Sequence, residues 1–430
     1  MTMRKWTMAW LVGFALAGAP AGADENWPQF RGPTGQGITT STALPKEWSE
    51  TKNVKWKTPI HGRGWSSPVV WGDQVWLTTA DEDGRELSLL CIEKETGKIA
   101  RDIKLFEDPS PNPVFKKFNT YASPTPVIEA GRIYVTFGSA GTACVDTQTG
   151  KVIWERNDIK VNHFRGAGSS LFLYEGLLYL NFDGSDAQFA IALDKKTGDN
   201  VWKVERSVDY GDLEPSGKPK AEGDYRKSFS TCRIATVNGQ PAIISTGAKA
   251  TYAYDPKTGK EIWRLDHKDW HSAGAPPVIG DNLIYIAPGF SKAGLLAIKP
   301  DGNGARTPDA IAWKMTQNAP NKPSPIFFEG LLYTVSDNGF ATCLDAKTGA
   351  EIWKQRLTGN FSAAPLAGDG RLYFFGENGI TTLMALGREA KKLGENKLEE
   401  GCMASPAVSG KAMFLRTGVK GKGALYRIEE

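Results

Sequence analysis

The stretch ATCLDAKTGAEIWK, which runs from Ala341 to Lys354, combines two strand-like runs with a turn signal between them. An Asp side chain at position 345 can hydrogen-bond the backbone of the turn that it begins, and Gly349 accepts the positive φ that a tight turn needs. Trp353 follows four residues later and supplies a large apolar face at a fixed distance from the turn. The stretch therefore predicts a β-hairpin whose second strand carries a large apolar tryptophan.

The same Asp-x-x-Thr-Gly-x-x-x-Trp frame occurs four times, which makes it a structural repeat. Its Asp, Gly and Trp positions are Asp146, Gly150 and Trp154; Asp194, Gly198 and Trp202; Asp255, Gly259 and Trp263; and Asp345, Gly349 and Trp353. Three further copies are degenerate. One has Arg101 at the Trp position, one has a longer insertion before its Trp313, and one has Gly387 with no Trp after it. A chain of 430 residues could hold two or three domains by length alone, but internal repetition permits one large closed domain.

Four predicted strands per repeat give units at about 65–106, 122–159, 168–206, 228–266, 272–315, 321–357, 361–398 and 402–430. The last unit has three strands and stops. Residues 54–60 alternate like a fourth strand and lack companions of their own. Pairing the two closes a ring and removes the open sheet edges. We therefore predict an all-β fold with almost no helix, an eight-bladed β-propeller of four-stranded blades over 54–430, with the last blade closed by an N-terminal strand.

The N-terminus has the pattern of an export signal. Arg4 and Lys5 precede an apolar run over 8–17 and small residues over 19–23, so residues 1–23 are predicted to be a signal peptide. The apolar run is too short for an ordinary membrane span, and no later run is long enough. No cysteine lies near the cleavage site, so we expect no lipid anchor. These features predict a soluble periplasmic or secreted protein.

Residues 24–53 are polar and rich in Gly and Pro, and they predict an extended arm that is ordered by burial of Trp27 and Phe30. The net charge is +4, from 52 Lys and Arg against 48 Asp and Glu. Such a mild, dispersed charge gives no sign of a nucleic-acid interface. We expect a monomer.

The five cysteines follow the repeat rather than a disulfide pattern. Cys91, Cys144 and Cys343 hold a position that Ala192 and Ala253 hold in other copies, so they are predicted to be buried thiols kept apart by the repeat geometry. The remaining two lie outside this frame and are candidates for other chemistry: Cys232 and Cys402.

With these repeats, the chain from about Val54 to Glu430 resembles the pyrroloquinoline-quinone-like (PQQ-like) repeat propellers, in which the Trp docks between neighbouring blades and eight blades are usual. The motifs Trp-Pro-Gln-Phe-Arg-Gly-Pro at 27–33 and Gly-Trp-Ser-Ser-Pro at 64–68 are similar to those of a large bacterial group of exported proteins with such repeats.

The resemblance implies one of two functional branches. Quinoprotein alcohol and glucose dehydrogenases bind PQQ and a divalent metal on the propeller axis, often beside an adjacent Cys-Cys disulfide. Non-catalytic scaffolds form the other branch, of which the outer-membrane assembly lipoprotein BamB is the type. No two cysteines are adjacent here and the insertions are short, whereas BamB is anchored through an N-terminal Cys that this chain lacks.

Recognition chemistry is expected in the connections between blades, which gather round the axis on one face. Basic, aromatic and histidine residues in these connections are the candidate ligand-binding residues of an axial mouth: His61, Arg63, Trp65, Lys117, His163, Arg165, Arg226, Lys227, His267, Trp270 and His271. Basic groups would attract an anion, and aromatic faces would stack on a ring. The alternative is that these aromatic residues only cover blade ends while the charges are solvated.

No motif predicts catalysis or a metal site. His267 and His271 are four residues apart but lie in a predicted loop, and the acidic clusters at 81–84 and 183–186 suit hairpin turns better than calcium loops. The small-residue run 166–170 lacks the Lys and the helix of a phosphate loop. No catalytic residue is therefore predicted.

Two functional hypotheses follow. The first is an exported, non-catalytic propeller that acts in the cell envelope as a scaffold or binding protein, without a cofactor, and recognises a protein or another envelope partner through its inter-blade loops. The alternative is a quinoprotein-like oxidoreductase using PQQ with calcium, or a binder of a small anionic or sugar-like ligand at the axial mouth.

Overall fold

A computed structural model describes residues 25–111, 118–290, 292–419 and 423–430. The predicted signal peptide and Asp24 lie outside the described residues. Within those ranges, no helix is long and apolar enough to cross a membrane.

Eight antiparallel sheets form the blades, each with its strands in radial order from the axis outwards, which confirms the predicted propeller. Blades 1 to 4 are β2 (Val69–Trp71), β3 (Gln74–Ala80), β4 (Glu86–Glu93) and β5 (Ile99–Glu107); β6 (Val127–Glu129), β7 (Arg132–Thr136), β8 (Thr142–Asp146) and β9 (Val152–Arg156); β10 (Phe172–Tyr174), β11 (Leu177–Asp183), β12 (Gln188–Asp194) and β13 (Asn200–Glu205); and β14 (Arg233–Val237), β15 (Gln240–Thr246), β16 (Ala250–Tyr254) and β17 (Glu261–Asp266).

Blades 5 to 8 are β18 (Val278–Gly280), β19 (Leu283–Ile286), β20 (Leu295–Ile298) and β22 (Ile311–Met315); β23 (Ile326–Phe328), β24 (Leu331–Val335), β25 (Phe340–Asp345) and β26 (Glu351–Arg356); β27 (Leu366–Gly368), β28 (Arg371–Phe375), β29 (Ile380–Ala385) and β30 (Lys392–Lys397); and β31 (Ala407–Ser409), β32 (Ala412–Arg416), β33 (Gly423–Ile428) and β1 (Val54–Ile60). The extra strand β21 (Gly304–Arg306) lies in the long excursion of blade 5 and pairs in parallel with β17 of blade 4. Short 3-10 turns occupy Gly138–Ala140, Lys220–Arg226 and Pro308–Ala310.

The ring is closed by strands from the two ends of the propeller, as predicted. β1 pairs antiparallel with β33, with Val54 opposite Ile428 and Ile60 opposite Gly423. This pairing covers the outer edge of the last blade, so an otherwise open edge receives its hydrogen-bond partners. Apolar clusters then fill the space between neighbouring blades; one of them joins Val69 of blade 1 to Ile128 of blade 2.

The repeated hairpin turn is held by its Asp. The Asp345 carboxylate accepts hydrogen bonds from the backbone N–H of Thr348 at 3.0 Å and from its hydroxyl at 2.8 Å. These bonds lower the pKa of Asp345. Gly349 has a φ of +73° and its N–H donates to the Asp345 carbonyl at 2.8 Å. The turn therefore uses the Asp, Thr and Gly of the frame for backbone geometry.

The repeated tryptophans dock on the next blade. Each indole Nε1 donates to a backbone carbonyl of the following blade: Trp56 to Lys94 at 3.0 Å, Trp154 to Lys195 at 3.0 Å, Trp202 to Pro256 at 2.8 Å, Trp263 to Pro300 at 2.7 Å, Trp313 to Ala346 at 2.9 Å and Trp353 to Gly387 at 3.1 Å. In several interfaces the indole also covers the next turn glycine: a Cβ on Gly259 would lie 2.6 Å from Trp202. The frame thus links successive blades.

All five cysteines are buried and none is disulfide-bonded, as expected for Cys91, Cys144 and Cys343. Burial raises the pKa of Cys91 to about 12 and that of Cys232 to about 11. The Cys232 Sγ contacts the Asn181 Oδ1 at 3.1 Å. Thiols that hold their protons at neutral pH are poor nucleophiles.

The N-terminal arm forms backbone hydrogen bonds with the innermost strands of several blades. Trp27 exchanges backbone hydrogen bonds with Val70 of blade 1, and Thr39 donates its N–H to the Ala367 carbonyl of blade 7. Trp27 is buried, as predicted. Phe30 is partly buried and lines a cavity on the propeller axis. The arm therefore contributes to the lining of this cavity.

Candidate functional site

A cavity of about 600 Å³ lies on the axis. Inter-blade connections from all eight blades contribute to its lining, and Phe30 is added by the arm: Phe30, Trp65, Ser67, Phe118, Asn119, Ser123, Thr125, Arg165, Gly168, Ser170, Asp224, Tyr225, Lys227, Phe229, Thr231, His271, Ser272, Gly274, Phe290, Lys322, Ser324, Ser362, Ala364, Met403, Ala404 and Ser405. The predicted gathering of these connections round the axis therefore produces a pocket large enough for a small molecule.

We use the name hydroxyl ring for five buried Ser and Thr residues of this lining, each two positions before the first strand of its blade. Each hydroxyl accepts a backbone N–H from the preceding blade: Ala364 donates to Ser405 at 2.9 Å, Ser405 to Ser67 at 3.0 Å, Ser67 to Thr125 at 3.0 Å, Thr125 to Ser170 at 2.9 Å and Ser170 to Thr231 at 2.9 Å. The chain of bonds runs from blade 7 through blade 8 to blade 4. It ties six consecutive blades together at the axis.

The aromatic rim is a second feature of the cavity. Phe118 is 52% exposed, Tyr225 40% and Phe290 60%, although all three line the cavity. Phe118 and Tyr225 belong to the two polar insertions at 107–121 and 207–227. The longer connections therefore bring apolar rings to the open end of the pocket.

A cluster of charged residues lies beside the rim. The Arg165 guanidinium donates to both carboxylate oxygens of Asp224, at 3.2 and 3.0 Å, and the Lys227 ammonium contacts the same carboxylate. Burial and the charge of Arg165 lower the pKa of Lys227 to about 7, and the contact with the Asp224 carboxylate opposes this shift. When both basic groups are protonated, two cations share one carboxylate and the cluster is net positive.

His271 also lines the cavity. Its Nδ1 lies 2.9 Å from the Ser272 hydroxyl, and its ring meets that of Tyr225 edge-on with centroids 5.1 Å apart. Burial, assisted by the nearby charges of Lys227, Lys249 and Arg165, lowers the pKa of His271 to about 4. The imidazole is therefore neutral at pH 7 and can take part in hydrogen bonds without adding charge.

Of the eleven predicted mouth residues, the cavity brings together Trp65, Arg165, Lys227 and His271. Lys117 lies outside the described residues. The other six lie elsewhere in the connections, and each has a local contact that fixes its place.

Three of these six lie in the connections that precede blade 1 and blade 3. His61 contacts the Asp102 carboxylate at 2.9 Å, and the Arg63 guanidinium lies over the Trp65 ring. His163 is buried and its Nε2 accepts the N–H of Ser139 at 3.2 Å. Burial lowers the pKa of His163 to about 4.

The other three lie around blade 4. Arg226 forms a short ion pair with Asp212, at 2.5 Å. His267 is buried against the Thr251 hydroxyl at 3.2 Å, and the Trp270 indole donates to the Lys292 carbonyl at 2.5 Å. In these positions the side chains support the connections that shape the cavity.

Sequence reasoning missed the hydroxyl ring and Asp224. The ring has a detectable signal, because a Ser or Thr recurs two residues before the predicted first strand. Asp224 had no such signal, since it comes from an irregular insertion. Asp183 was interpreted as a turn residue, and that explanation is incomplete: its carboxylate forms a buried bidentate pair with Arg206, with both contacts at 2.8 Å.

The donor set of the cavity does not suit a divalent cation. Within the described part of the chain, no three His, Cys, Asp or Glu side chains gather where they could hold a metal ion. The carboxylate among the described lining residues belongs to Asp224, and it is bound by Arg165 and Lys227. Calcium, which prefers several oxygen ligands with negative charge, therefore does not fit this arrangement.

Fold and repeats define the class: the chain is an eight-bladed β-propeller of repeated four-stranded blades. The family model described as "Outer membrane protein assembly factor BamB" matches residues 116–226 and 304–392. Among curated proteins, the quinohemoprotein alcohol dehydrogenase ADH-IIG of Pseudomonas putida is 23% identical over 279 residues, which cover 57% of this chain and 35% of that protein. BamB of Marinobacter adhaerens is 27% identical over 157 residues, 34% of this chain and 37% of that protein.

Solved structures share the fold across most of the chain. A europium-containing methanol dehydrogenase superposes with a TM-score of 0.70 at 10% identity, covering 95% of this chain and 98% of that chain. BamB from Moraxella catarrhalis gives a TM-score of 0.56 at 10% identity, covering 87% and 99%. The matched stretches span little more than a third of the two curated relatives named above. Relatives thus include both dehydrogenases and an assembly factor.

Proposed function

We propose that this protein is a non-catalytic binding propeller of the cell envelope that holds a small organic anion in its axial cavity. The observation that carries the proposal is the composition of the lining, which combines aromatic rings with a cluster of Arg165, Asp224 and Lys227 that is net positive when Lys227 is protonated. Aromatic faces favour a planar or ring-shaped ligand, and the cations favour negative charge. A predicted export signal and a relative named for outer membrane assembly support the location.

Binding is favoured over catalysis by the state of the polar groups in the lining. Asp224 would be the natural general base there, but its two oxygens already accept hydrogen bonds from Arg165 and one of them contacts Lys227. Quinoprotein-like oxidation with PQQ and calcium is the alternative. The dehydrogenase relatives support this alternative. Among its described residues, however, the cavity lacks the oxygen ligands that calcium prefers. We propose a monomer with one propeller domain (54–430) and an arm (24–53) after removal of residues 1–23.

The ligand proposal is tested by thermal unfolding with a panel of aromatic and sugar-derived carboxylates that includes PQQ, each with and without calcium. At least one aromatic carboxylate is expected to raise Tm without calcium, because a ligand that binds only the folded state stabilises it. Replacing Lys227 with Gln is expected to weaken binding about tenfold, the effect of losing roughly 1.4 kcal/mol of charge-assisted hydrogen bonding.

Lys354→Gln is the matched control, because Lys354 is exposed on an outer strand and is absent from the cavity lining. Unchanged Tm with every carboxylate at saturating concentration would contradict the proposal. Calcium-dependent PQQ binding together with reduction of an electron-accepting dye by an alcohol or sugar would favour the oxidoreductase instead.

A protein partner is the second candidate, and the aromatic rim favours it. Exposed aromatic side chains that gather round one opening are typical of interaction sites, and aromatic residues often dominate interface energies. Pull-down from envelope extract with the Phe118→Ser/Phe290→Ser variant is expected to lose a partner that the native chain retains. Leu393→Ser, on the exposed outer strand β30, is the control. Identical recovered sets for the native and rim variants would exclude the rim as the interface.

A further inference from the structure

The hydroxyl ring presents more donors to the cavity than the protein uses. A Ser or Thr hydroxyl has two acceptor lone pairs and one O–H donor. In Ser67, Thr125, Ser170, Thr231 and Ser405 a lone pair accepts a backbone N–H, as described above. Within the described residues, none of the five O–H groups donates to a protein acceptor. All five oxygens belong to cavity-lining residues that are at most 5% exposed.

Two buried guanidinium groups lie behind the cavity lining, and one of them adjoins the ring. Arg31, from the arm, donates to the carbonyl of Pro325, which adjoins the cavity residue Ser324, at 2.5 Å. Arg233 donates to the carbonyl of its neighbour Cys232 at 2.9 Å, next to the ring residue Thr231. Both arginines are nearly inaccessible to solvent, at 1% and 3% exposure.

Neither guanidinium has a carboxylate partner among the described residues. The other bonds of Arg31 and Arg233 also go to backbone carbonyls, those of Gln36, Gly35 and Phe30. The Nε and Nη1 atoms of Arg31 are buried without a hydrogen-bond partner. Burial lowers the pKa of Arg31 to about 9 and that of Arg233 to about 10, so both are charged at neutral pH.

We propose that the hydroxyl ring is a binding site for a compact oxyanion: phosphate, sulfate, or the carboxylate head of a larger ligand. Oxyanions accept short, strong hydrogen bonds from hydroxyl groups. The two buried cations lie next to chain neighbours of the cavity residues Ser324 and Thr231, and the positive potential that they add is little screened in the interior. A metal cation is disfavoured by that potential, and part of the lone-pair capacity of each ring oxygen is already taken by an N–H group.

The ring also links ligand binding to the closure of the propeller. Its five residues belong to blades 1, 2, 3, 4 and 8, so an oxyanion held by them bridges blades on both sides of the point where the chain ends meet. Blade separation would break these contacts. An oxyanion bound here should therefore stabilise the propeller against unfolding as a whole. Binding of a carboxylate head at the ring rests on the proposed function, whereas binding of phosphate or sulfate does not.

The test compares thermal unfolding of the full chain in potassium phosphate, sulfate, acetate and chloride at equal ionic strength, with calorimetric titration of phosphate. A saturable rise in Tm with an oxyanion, absent with chloride, is expected. The Thr125→Val/Thr231→Val variant should bind at least tenfold more weakly, whereas Thr125→Ser/Thr231→Ser should bind like the native chain. Thr342→Val removes a buried hydroxyl outside the cavity lining and is expected to leave the rise unchanged.

Equal Tm values in all four salts, or a full response in the valine variant, would overturn the oxyanion site. If the valine variant does not fold, Ser170→Ala supplies the same comparison. If phosphate or sulfate raises Tm of the native chain but not of the valine variant, while no aromatic carboxylate binds, the ring site is supported and the proposed organic ligand is rejected. If aromatic carboxylates bind the native chain and the valine variant equally, and phosphate and sulfate leave Tm unchanged, the proposed organic ligand is kept and the ring site is rejected.

Discussion

Replacement of Trp353 with alanine is expected to lower the free energy of unfolding by about 3–5 kcal/mol, the usual cost of deleting a large buried side chain. The indole is 7% exposed, contacts Tyr333 with ring centroids 6.1 Å apart, and donates to the Gly387 carbonyl of the next blade at 3.1 Å. Its removal opens a cavity between blades 6 and 7 and leaves that carbonyl without its indole donor.

Urea unfolding followed by circular dichroism measures this effect, with Leu393→Ala as the control. Leu393 is 43% exposed on outer strand β30, and its truncation is expected to change stability by less than about 0.5 kcal/mol. Ligand binding by folded Trp353→Ala protein should match that of the native chain, because the residue is absent from the cavity lining. A variant that keeps its stability but loses ligand binding would assign the repeat tryptophan a recognition role that the docking geometry does not support.

The architecture could be predicted from the sequence because each blade repeats the same local solution. The Asp-Thr-Gly turn and the docking Trp recur once per four strands, so the strands of each blade can be counted from the sequence. The last unit, 402–430, lacks a fourth strand, and residues 54–60 supply it. Degenerate positions fit the same register: Arg101 lies opposite Cys91 as Trp154 lies opposite Cys144. The repeat therefore allowed contacts between residues far apart in the sequence to be predicted, which a single sequence seldom permits.

The candidate site was less predictable because its members come from connections of unequal length. Sequence order indicates which face a connection occupies, but the depth of a side chain depends on the path of the loop. His271 lines the cavity while His267, four residues earlier, is buried against Thr251. Asp224 reaches Arg165 and Lys227 from an irregular insertion, so charge balance at the cavity became visible only in three dimensions.

Replacement of Asp183 with alanine is expected to destabilise the protein by about 3–5 kcal/mol, because it leaves the Arg206 guanidinium buried without its carboxylate. The two side chains are 0% and 1% exposed and form two hydrogen bonds of 2.8 Å. Arg206 also lies over the ring of Tyr252 and donates to the Tyr254 hydroxyl at 3.2 Å, so the pair joins blades 3 and 4.

The double variant Asp183→Leu/Arg206→Met separates the cost of an unpaired charge from the value of the pair itself. Apolar residues of similar volume can replace a buried ion pair with little loss, so the double variant is expected to recover most of the stability that Asp183→Ala loses. Urea unfolding of the native chain, Asp183→Leu, Arg206→Met and the double variant provides the complete cycle. If the double variant is as unstable as Asp183→Ala, the pair holds blades 3 and 4 together through its specific hydrogen bonds. Recovery would instead show that the apolar contacts between these blades are sufficient once no charge is left unpaired.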